Sequence, residues 1–462
     1  MNLKTLKHKY IGDKAFYSMV LAIAIPLMIQ NGFTNFVNLL DNVMVGRLGT
    51  EQMSGVSIAN QLIFIFNLCN FGAISGAGIY GAQYFGKEDN EGVRNTLRYK
   101  IILGLLLVIT VTLIYFLKGE ALIKLFLGGS EDGADKIATL NYGFSYLKIM
   151  LWGLPGFMIT QAFASTLREG GETILPMKAG IIAITTNLVF NWILIFGNLG
   201  FPTLGVQGAA IATVISRYVE ASIVIIGAIK KKFDFMKGLL SRITVPIELA
   251  KKISTAAAPL LFNECLWSLG MTFLLKCYSS RGLNAVAGYN IANTLYNVLS
   301  VTFMAVGSSV GIIVGQLLGA GKKEEAVETA RKMIAFAVIV GTIAGLILVS
   351  ISPFFPKLYN TNDAAKVIAT KLLITMGCCL PLNGFKHSTY FTLRSGGKIL
   401  VTFIFDSGFL WTVSAPIAFL VSTFTNLGVV QIFLCIQAGD LIKCAIGTYL
   451  VKKRVWVNKI ID

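Results

Sequence analysis

The stretch LPGFMITQAFASTLREGG, residues 154–171, returns in altered form as LPLNGFKHSTYFTLRSGG at residues 380–397. Leu154-Pro155 matches Leu380-Pro381, and Leu167-Arg168-x-Gly170-Gly171 matches Leu393-Arg394-x-Gly396-Gly397, at a shift of 226 residues. Earlier in the chain a shift of 233 pairs Pro26 with Pro259, Gly55 with Gly288 and Ile58-Ala59-Asn60 with Ile291-Ala292-Asn293. The same shift pairs Ser75 with Ser308, Gly78 with Gly311, Gln83 with Gln316 and Gly86 with Gly319. The matches keep their order while the shift drifts by only seven residues. The chain is one unit written twice.

That unit belongs in lipid. Of 462 residues 55% are apolar and 14% charged, with a mean hydropathy of +0.71; a soluble domain carries roughly 25% charged residues. A membrane-crossing helix needs about 20 apolar residues. Twelve runs qualify: 17–45, 53–83, 101–117, 139–166, 174–197, 204–229, 253–278, 286–318, 333–354, 365–393, 399–422 and 427–451. The pattern excludes a soluble enzyme, a secreted protein and a single-span receptor. It also excludes a β-barrel, whose strands would alternate polar and apolar residues. The expected fold is an all-α polytopic membrane protein of twelve transmembrane helices. Six runs per copy give the copies parallel topology, hence two six-helix lobes related by a pseudo-twofold axis along the membrane normal. The lobes are expected at 1–229 and 253–462, joined by a cytoplasmic basic linker at 230–252.

The net charge of +17 is not spread evenly. With the N-terminus inside, the tails and even-numbered loops hold 26 of the 40 lysines and arginines. This positive-inside bias predicts cytoplasmic termini. Lys230-Lys231-Lys232 and Lys452-Lys453-Arg454 then face anionic headgroups rather than nucleic acid. The seven cysteines lie inside apolar runs without a Cys-x-x-Cys and read as packing residues. The first run is too long for a signal peptide and should be retained. Gly315-Gln-Leu-Leu-Gly319-Ala-Gly-Lys322 lacks the spacing of a phosphate-binding loop, and His8 and His387 are the only histidines. No catalytic residues are expected, and no cofactor beyond a coupling ion.

Small residues recur at every fourth position in the second run (Gly78, Ala82, Gly86) and the eighth (Gly307, Gly311, Gly315, Gly319). Such stripes permit close helix approach; they suit either tight packing or a seam that slides. The prolines inside runs, Pro26 and Pro259 among them, mark expected bends.

Acids in hydrocarbon are costly and therefore functional candidates. Five qualify: Asp41, Glu220, Glu264, Asp406 and Asp440. Arg217 with Glu220 and Asp440 with Lys443 are three apart and can pair locally. Lys386 and Asp406 flank one hairpin at equal depth and are expected to pair with each other, the alternative being that Lys386 reaches Glu264 as a tethered cation. The helical neighbours of Glu264, Leu260, Leu261 and Ser268, offer no cation. Asp41, with Asn35 before it, has none in its run before Arg47, and Asn187 and Asn191 share a helix face one turn apart. A carboxylate with amide oxygens can coordinate Na⁺ or hold a proton. Asp41, Asn187, Asn191 and Glu264 are thus candidate cation or proton ligands, with Na⁺ possible at Asp41. Asn35, Asn383, Lys386 and Asp406 are candidates for lining a substrate cavity.

Several motifs resemble those of the multidrug and toxic compound extrusion (MATE) family. They are Asp41-x-x-x-Val-Gly-Arg-Leu-Gly, Leu167-Arg-Glu-Gly-Gly-Glu-Thr173, Asn187-x-x-x-Asn191-x-x-Leu-Ile-Phe-Gly197, Leu204-Gly-Val-x-Gly-Ala-Ala-Ile-Ala-Thr213 and Lys453-Arg-Val-Trp456. The resemblance implies a twelve-helix antiporter in the plasma membrane that exports bulky, amphipathic, cationic compounds in exchange for Na⁺ or H⁺. It carries cation binding onto Asp41 and support onto Asn187. Asn191 and Asn383 stand where some members have Asp. The expected mechanism is alternating access by a monomer: a cation on Asp41 weakens its hold on a cationic substrate and lets the first helix repack about Pro26. The alternative, a flippase for lipid-linked saccharides in the same superfamily, would need a groove rich in Arg and Lys, and only eight basic residues fall within the runs.

Overall fold

The structure, a computed structural model, describes residues 9–127, 133–239, 241 and 244–461. The apolar runs become α1 (Lys14–Gly46), α2 (Thr50–Gly86), α3 (Asn90–Phe126), α4 (Gly133–Leu151), α5 (Gly153–Glu169), α6 (Ile174–Phe196) and α7 (Gly205–Lys230). They continue as α8 (Ile247–Ser279), α9 (Leu283–Gly319), α10 (Lys323–Ile351), α11 (Asp363–Ser395), α12 (Ile399–Phe424) and α13 (Val429–Lys452). Eleven helices among the described residues are long and apolar enough to cross a membrane. The pair α4–α5, bent by 48° at Trp152, makes a twelfth if it counts as one span. At about 1.5 Å per residue the 37-residue helices α2, α3 and α9 run to roughly 55 Å, well beyond a hydrocarbon core of about 30 Å.

The repeated Leu-Arg-x-Gly-Gly has a local reason. In both copies it ends a helix, and the second glycine, Gly171 at φ +85° or Gly397 at φ +71°, adopts the left-handed conformation that favours glycine. Its N–H donates to the carbonyl of Arg168 (2.8 Å) or Arg394 (2.9 Å). Helix α12 departs from regularity: Ile404–Gly408 and Leu410–Ser414 are π-helical turns, directly before Pro416. A proline lacks an N–H and crowds the carbonyl four residues back; wider turns with i→i+5 bonding accommodate it. The helices run on through Pro26, Pro259 and Pro381.

Contacts divide the chain into two compact units. One comprises Met1–Met28, Ala82–Asp89 and Phe262–Asp462; the other comprises Ile29–Gly81 and Asn90–Leu261. In the first, Val20, Ile23 and Leu27 of α1 share a core with Val310, Ile313 and Met333, and a second core gathers Leu274, Phe303, Leu372, Leu380 and Ile432. In the other, Phe66, Ile123, Leu147, Met158 and Ile195 are the centre. The linker is not a loose loop. Phe235 is fully buried, and Arg94 and Arg98 of α3 donate to the carbonyls of Asp234, Phe235, Gly238 and Leu239.

The small-residue stripes serve close packing. Gly78 lies against Glu169, Gly307 against His387 and Gly311 against Phe391. At the ends of α2 and α9 the contact is reciprocal: a Cβ on Gly86 would lie 1.8 Å from the Gln316 carbonyl oxygen, and one on Gly319 1.9 Å from that of Gln83. The two helices cross backbone to backbone at residues the repeat makes equivalent.

Candidate functional site

In the unit Ile29–Gly81 with Asn90–Leu261, helices α1, α6 and α7 bring Asp41, Asn187, Asn191 and Thr213 together. Asn191 Nδ2 donates to Asp41 Oδ1 at 2.7 Å and lies 3.1 Å from Asn187 Oδ1. The Asn187 amide, as placed, donates to Thr213 Oγ1 at 3.2 Å. Turned end for end, its nitrogen meets both Asp41 oxygens at 3.0 and 3.2 Å and its oxygen accepts from Thr213. Both asparagines are buried. Asn191 Oδ1 is buried with no hydrogen-bond partner among the described residues. Nor does any lysine or arginine among them form an ion pair with Asp41; Arg217, whose charge reaches it, is paired instead with Glu220 at 3.7 Å.

The expected Asp41–Asn187–Asn191 grouping is therefore one cluster in space. Asn35 is exposed and lies six residues back on α1, about a third of a turn away around the helix. Sequence reading missed Thr213, on another helix, and Tyr146, whose buried phenol bonds Asn60 Oδ1 at 3.2 Å and feels the Asp41 charge. Nothing in their own stretches marks either. Chemically, the cluster offers a carboxylate, an unpartnered amide oxygen, a second amide and a hydroxyl: oxygen donors that suit a small hard cation or a shared proton.

The unit containing Phe262–Asp462 holds the remaining candidates, and here one expectation is corrected. Lys386 pairs with Asp440, not with Asp406 or Glu264, and Lys443 pairs with Asp406 at 3.2 Å, not with Asp440. Equal depth on a hairpin says nothing about the direction a side chain takes around its helix. The π turn carries Asp406 toward α8 and α13, where Asn263 Nδ2 also donates to it at 3.1 Å. Asp440 and Lys443 are neighbours on α13, but each reaches a different helix; an exposed i,i+3 pair would stabilise by only about 0.2–0.5 kcal/mol. Glu264 is half-buried beside Asn263, and the charges that reach it are those of Arg394 and Asp406. Arg394, the arginine of the repeated motif, was not anticipated there. Asn383 donates to the Tyr296 hydroxyl at 3.0 Å. The Arg217–Glu220 pair is as expected.

A further buried pair escaped sequence reading. Lys100 of α3 is fully enclosed and donates to Glu169 at 2.7 and 2.8 Å and to the hydroxyls of Ser165 and Thr166.

Among the described residues, eleven or twelve helices long and apolar enough to cross a membrane, with ion pairs and a carboxylate among amides carried on them, make this a membrane protein of many spans. The MatE family model matches residues 26–193 and 259–423, one match in each repeat. Among named relatives, a probable multidrug resistance protein NorM from Thermotoga maritima is 28% identical, covering 88% of this chain and 86% of that one. Another probable NorM from Halalkalibacterium halodurans is 27% identical over 93% and 92%. The probable multidrug resistance protein YoeA of Bacillus subtilis is 24% identical over 88% of each. Two solved structures, a MATE transporter bound to MaL6 and a transporter of the MOP superfamily from Pyrococcus furiosus, superpose with TM-scores of 0.84 and 0.83. Each is 21% identical and covers 98% of both chains. The chain belongs to the MatE family, and it is a transporter rather than an enzyme.

Proposed function

We propose that this chain is a secondary active multidrug exporter that moves amphipathic organic cations out of the cell in exchange for inward Na⁺ or H⁺. It works as a monomer in the plasma membrane with both termini in the cytoplasm. The observation that carries this reading is the Asp41 cluster: a carboxylate without a lysine or arginine partner among the described residues, beside an amide oxygen with no hydrogen bond. A cation or proton on Asp41 would satisfy both. The names of the relatives, the positive-inside bias and the duplicated architecture support export, orientation and alternating access respectively. Coupling requires that ion and substrate stabilise different states, since a ligand with equal affinity for both shifts nothing. No cofactor enters the cycle.

The test is efflux of tetraphenylphosphonium from proteoliposomes with a Na⁺ or a proton gradient imposed in turn. Wild-type protein is expected to respond to one gradient, and Asp41→Asn to lose that response. Efflux indifferent to both gradients, or an Asp41→Asn protein that keeps full gradient-driven transport, would overturn the reading.

A further inference from the structure

Lys443 occupies a site built like a receptor for an ammonium ion. Its Nζ lies 3.2 Å from Asp406 Oδ1, 5.1 Å from the centre of the Phe405 ring and 5.7 Å from that of Phe409. Asn263 holds the other Asp406 oxygen at 3.1 Å. A cation over aromatic faces with a carboxylate behind it is the arrangement that recognises organic ammonium ligands. The π turns of α12 assemble it, because Phe405, Asp406 and Phe409 all come from that widened stretch.

Two features distinguish this lysine from the enclosed Lys100. Its side chain keeps 13% exposure and that of Asp406 22%, whereas Lys100 is fully enclosed. Its one bond to a carboxylate is long, whereas Lys100 makes four bonds of 2.7–3.1 Å. A lysine ammonium sits on a flexible four-carbon stem. In a half-buried pair, desolvation offsets most of the Coulomb attraction, so replacing one ammonium by another changes little energy.

We propose that Asp406, Phe405 and Phe409 form a binding site for the ammonium group of the transported cation, and that Lys443 fills it as a tethered stand-in which substrate must displace. Lys443 thereby sets substrate affinity and charge selectivity. Lys386 and Asp440 brace α11 to α13 alongside. The inference rests on the proposed export of organic cations and names where they bind.

The experiment measures equilibrium binding of radiolabelled tetraethylammonium to purified full-length protein at pH 8, with export of the same probe from wild-type proteoliposomes as a separate arm. Lys443→Met is expected to bind at least tenfold more tightly than wild type, and adding Asp406→Asn to remove the gain. Lys443→Arg, which keeps the charge and grips the carboxylate with a planar fork, is expected to bind more weakly than wild type and still fold. Probe binding by Lys443→Met no tighter than wild type, or tighter binding by Lys443→Arg, overturns the site while wild-type export stands. Absence of wild-type export overturns the export reading instead.

Discussion

Replacing Lys100 by Met removes one partner of the most enclosed ion pair described in the molecule. Lys100 contributes two bonds to Glu169, at 2.7 and 2.8 Å, and its ammonium is fully buried. The Ser165 and Thr166 hydroxyls that it also touches each donate to the Ala162 carbonyl, at 3.1 and 2.9 Å, so they keep a partner in the variant. The loss falls on Glu169, whose carboxylate sits where Gly78 and Gly81 leave room for it. Breaking a buried pair by removing one member costs about 3–5 kcal/mol. A ceiling follows from the alternative of protonating Glu169 once Lys100 is gone: at pH 7, against an ordinary value near 4.3, that costs about 3.7 kcal/mol. The expected deficit is therefore about 3–4 kcal/mol at pH 7, shrinking to about 1 kcal/mol at pH 5. With about 2.1 cal/mol/K of unfolding entropy per residue over the chain, the deficit at pH 7 corresponds to a fall in Tm of roughly 3–4 °C. The assay is thermal unfolding in detergent, followed by a fluorophore that reacts with buried cysteines as they emerge. The double variant Lys100→Met with Glu169→Leu should recover most of the loss, because replacing both members of such a pair is often neutral or better. A single variant as stable as wild type at pH 7, or a deficit that does not shrink on acidification, would refute the reasoning.

Three shorter predictions follow from the ends of the helices. Burial pushes the Glu172 carboxyl up, but hydrogen bonds from Lys231 and from the Leu175 N–H, with the Lys231 charge, outweigh it and hold the group below the ordinary glutamate value. A depressed folded value contributes stability above the unfolded one and loses it as pH falls through the folded one. Glu172→Gln should therefore lower Tm at pH 7 and leave it unchanged at the acid end; a uniform shift across pH would count against the pair. Gly396→Ala places a methyl 1.6 Å from the Trp456 carbonyl oxygen, so the segment 455–461 should lift away and be cut by trypsin at Lys459 sooner than in wild type. Gly86→Val, whose Cβ would meet the Gln316 carbonyl oxygen at 1.8 Å, should force α2 and α9 apart and cost folded yield, whereas Gly171→Ala meets no atom within 4 Å and pays only for its positive φ.

The fold was legible because lipid makes long apolar runs obligatory and because the duplication repeats rare residues such as Pro26 and Arg168. Helix ends were less so. Helix α3 begins at Asn90, eleven residues before its apolar run at 101, and this is why Lys100 read as a loop cation and its pair with Glu169 went unseen. The Asp41 cluster was partly legible, since Asn187 and Asn191 are neighbours by helical period alone. The carboxylate partners in the C-terminal unit were not. Periodicity gives faces within one helix, but the partner of Asp406 depends on how α8, α12 and α13 are turned, and the π turns shift that angle by an amount no local pattern announces. Asn263 reaches Asp406 across 143 positions of sequence.

The duplication repeats the backbone more faithfully than the charges, and that difference gives the two acidic sites different chemistry. Arg168 returns as Arg394, yet Glu169 returns as Ser395, whose carbonyl instead accepts from Gln83. Asp41 is surrounded by amides and a hydroxyl, so an ion bound there changes the charge of its pocket by one. Asp406 already holds an ammonium, so a cation that displaces Lys443 exchanges one positive charge for another. On the proposed reading, the first event would be an electrostatic switch and the second a substitution. Under the proposed cycle this assigns coupling to Asp41 and recognition to Asp406. Asp41 also lies on α1, the helix that the contacts divide between Met28 and Ile29, two residues beyond Pro26. A charge change at Asp41 thus acts on a helix whose earlier turns, at Val20, Ile23 and Leu27, belong to the same unit as Asp406. In the proposed exchange, ion and substrate would have separate ligands, and each would need to prefer a different state.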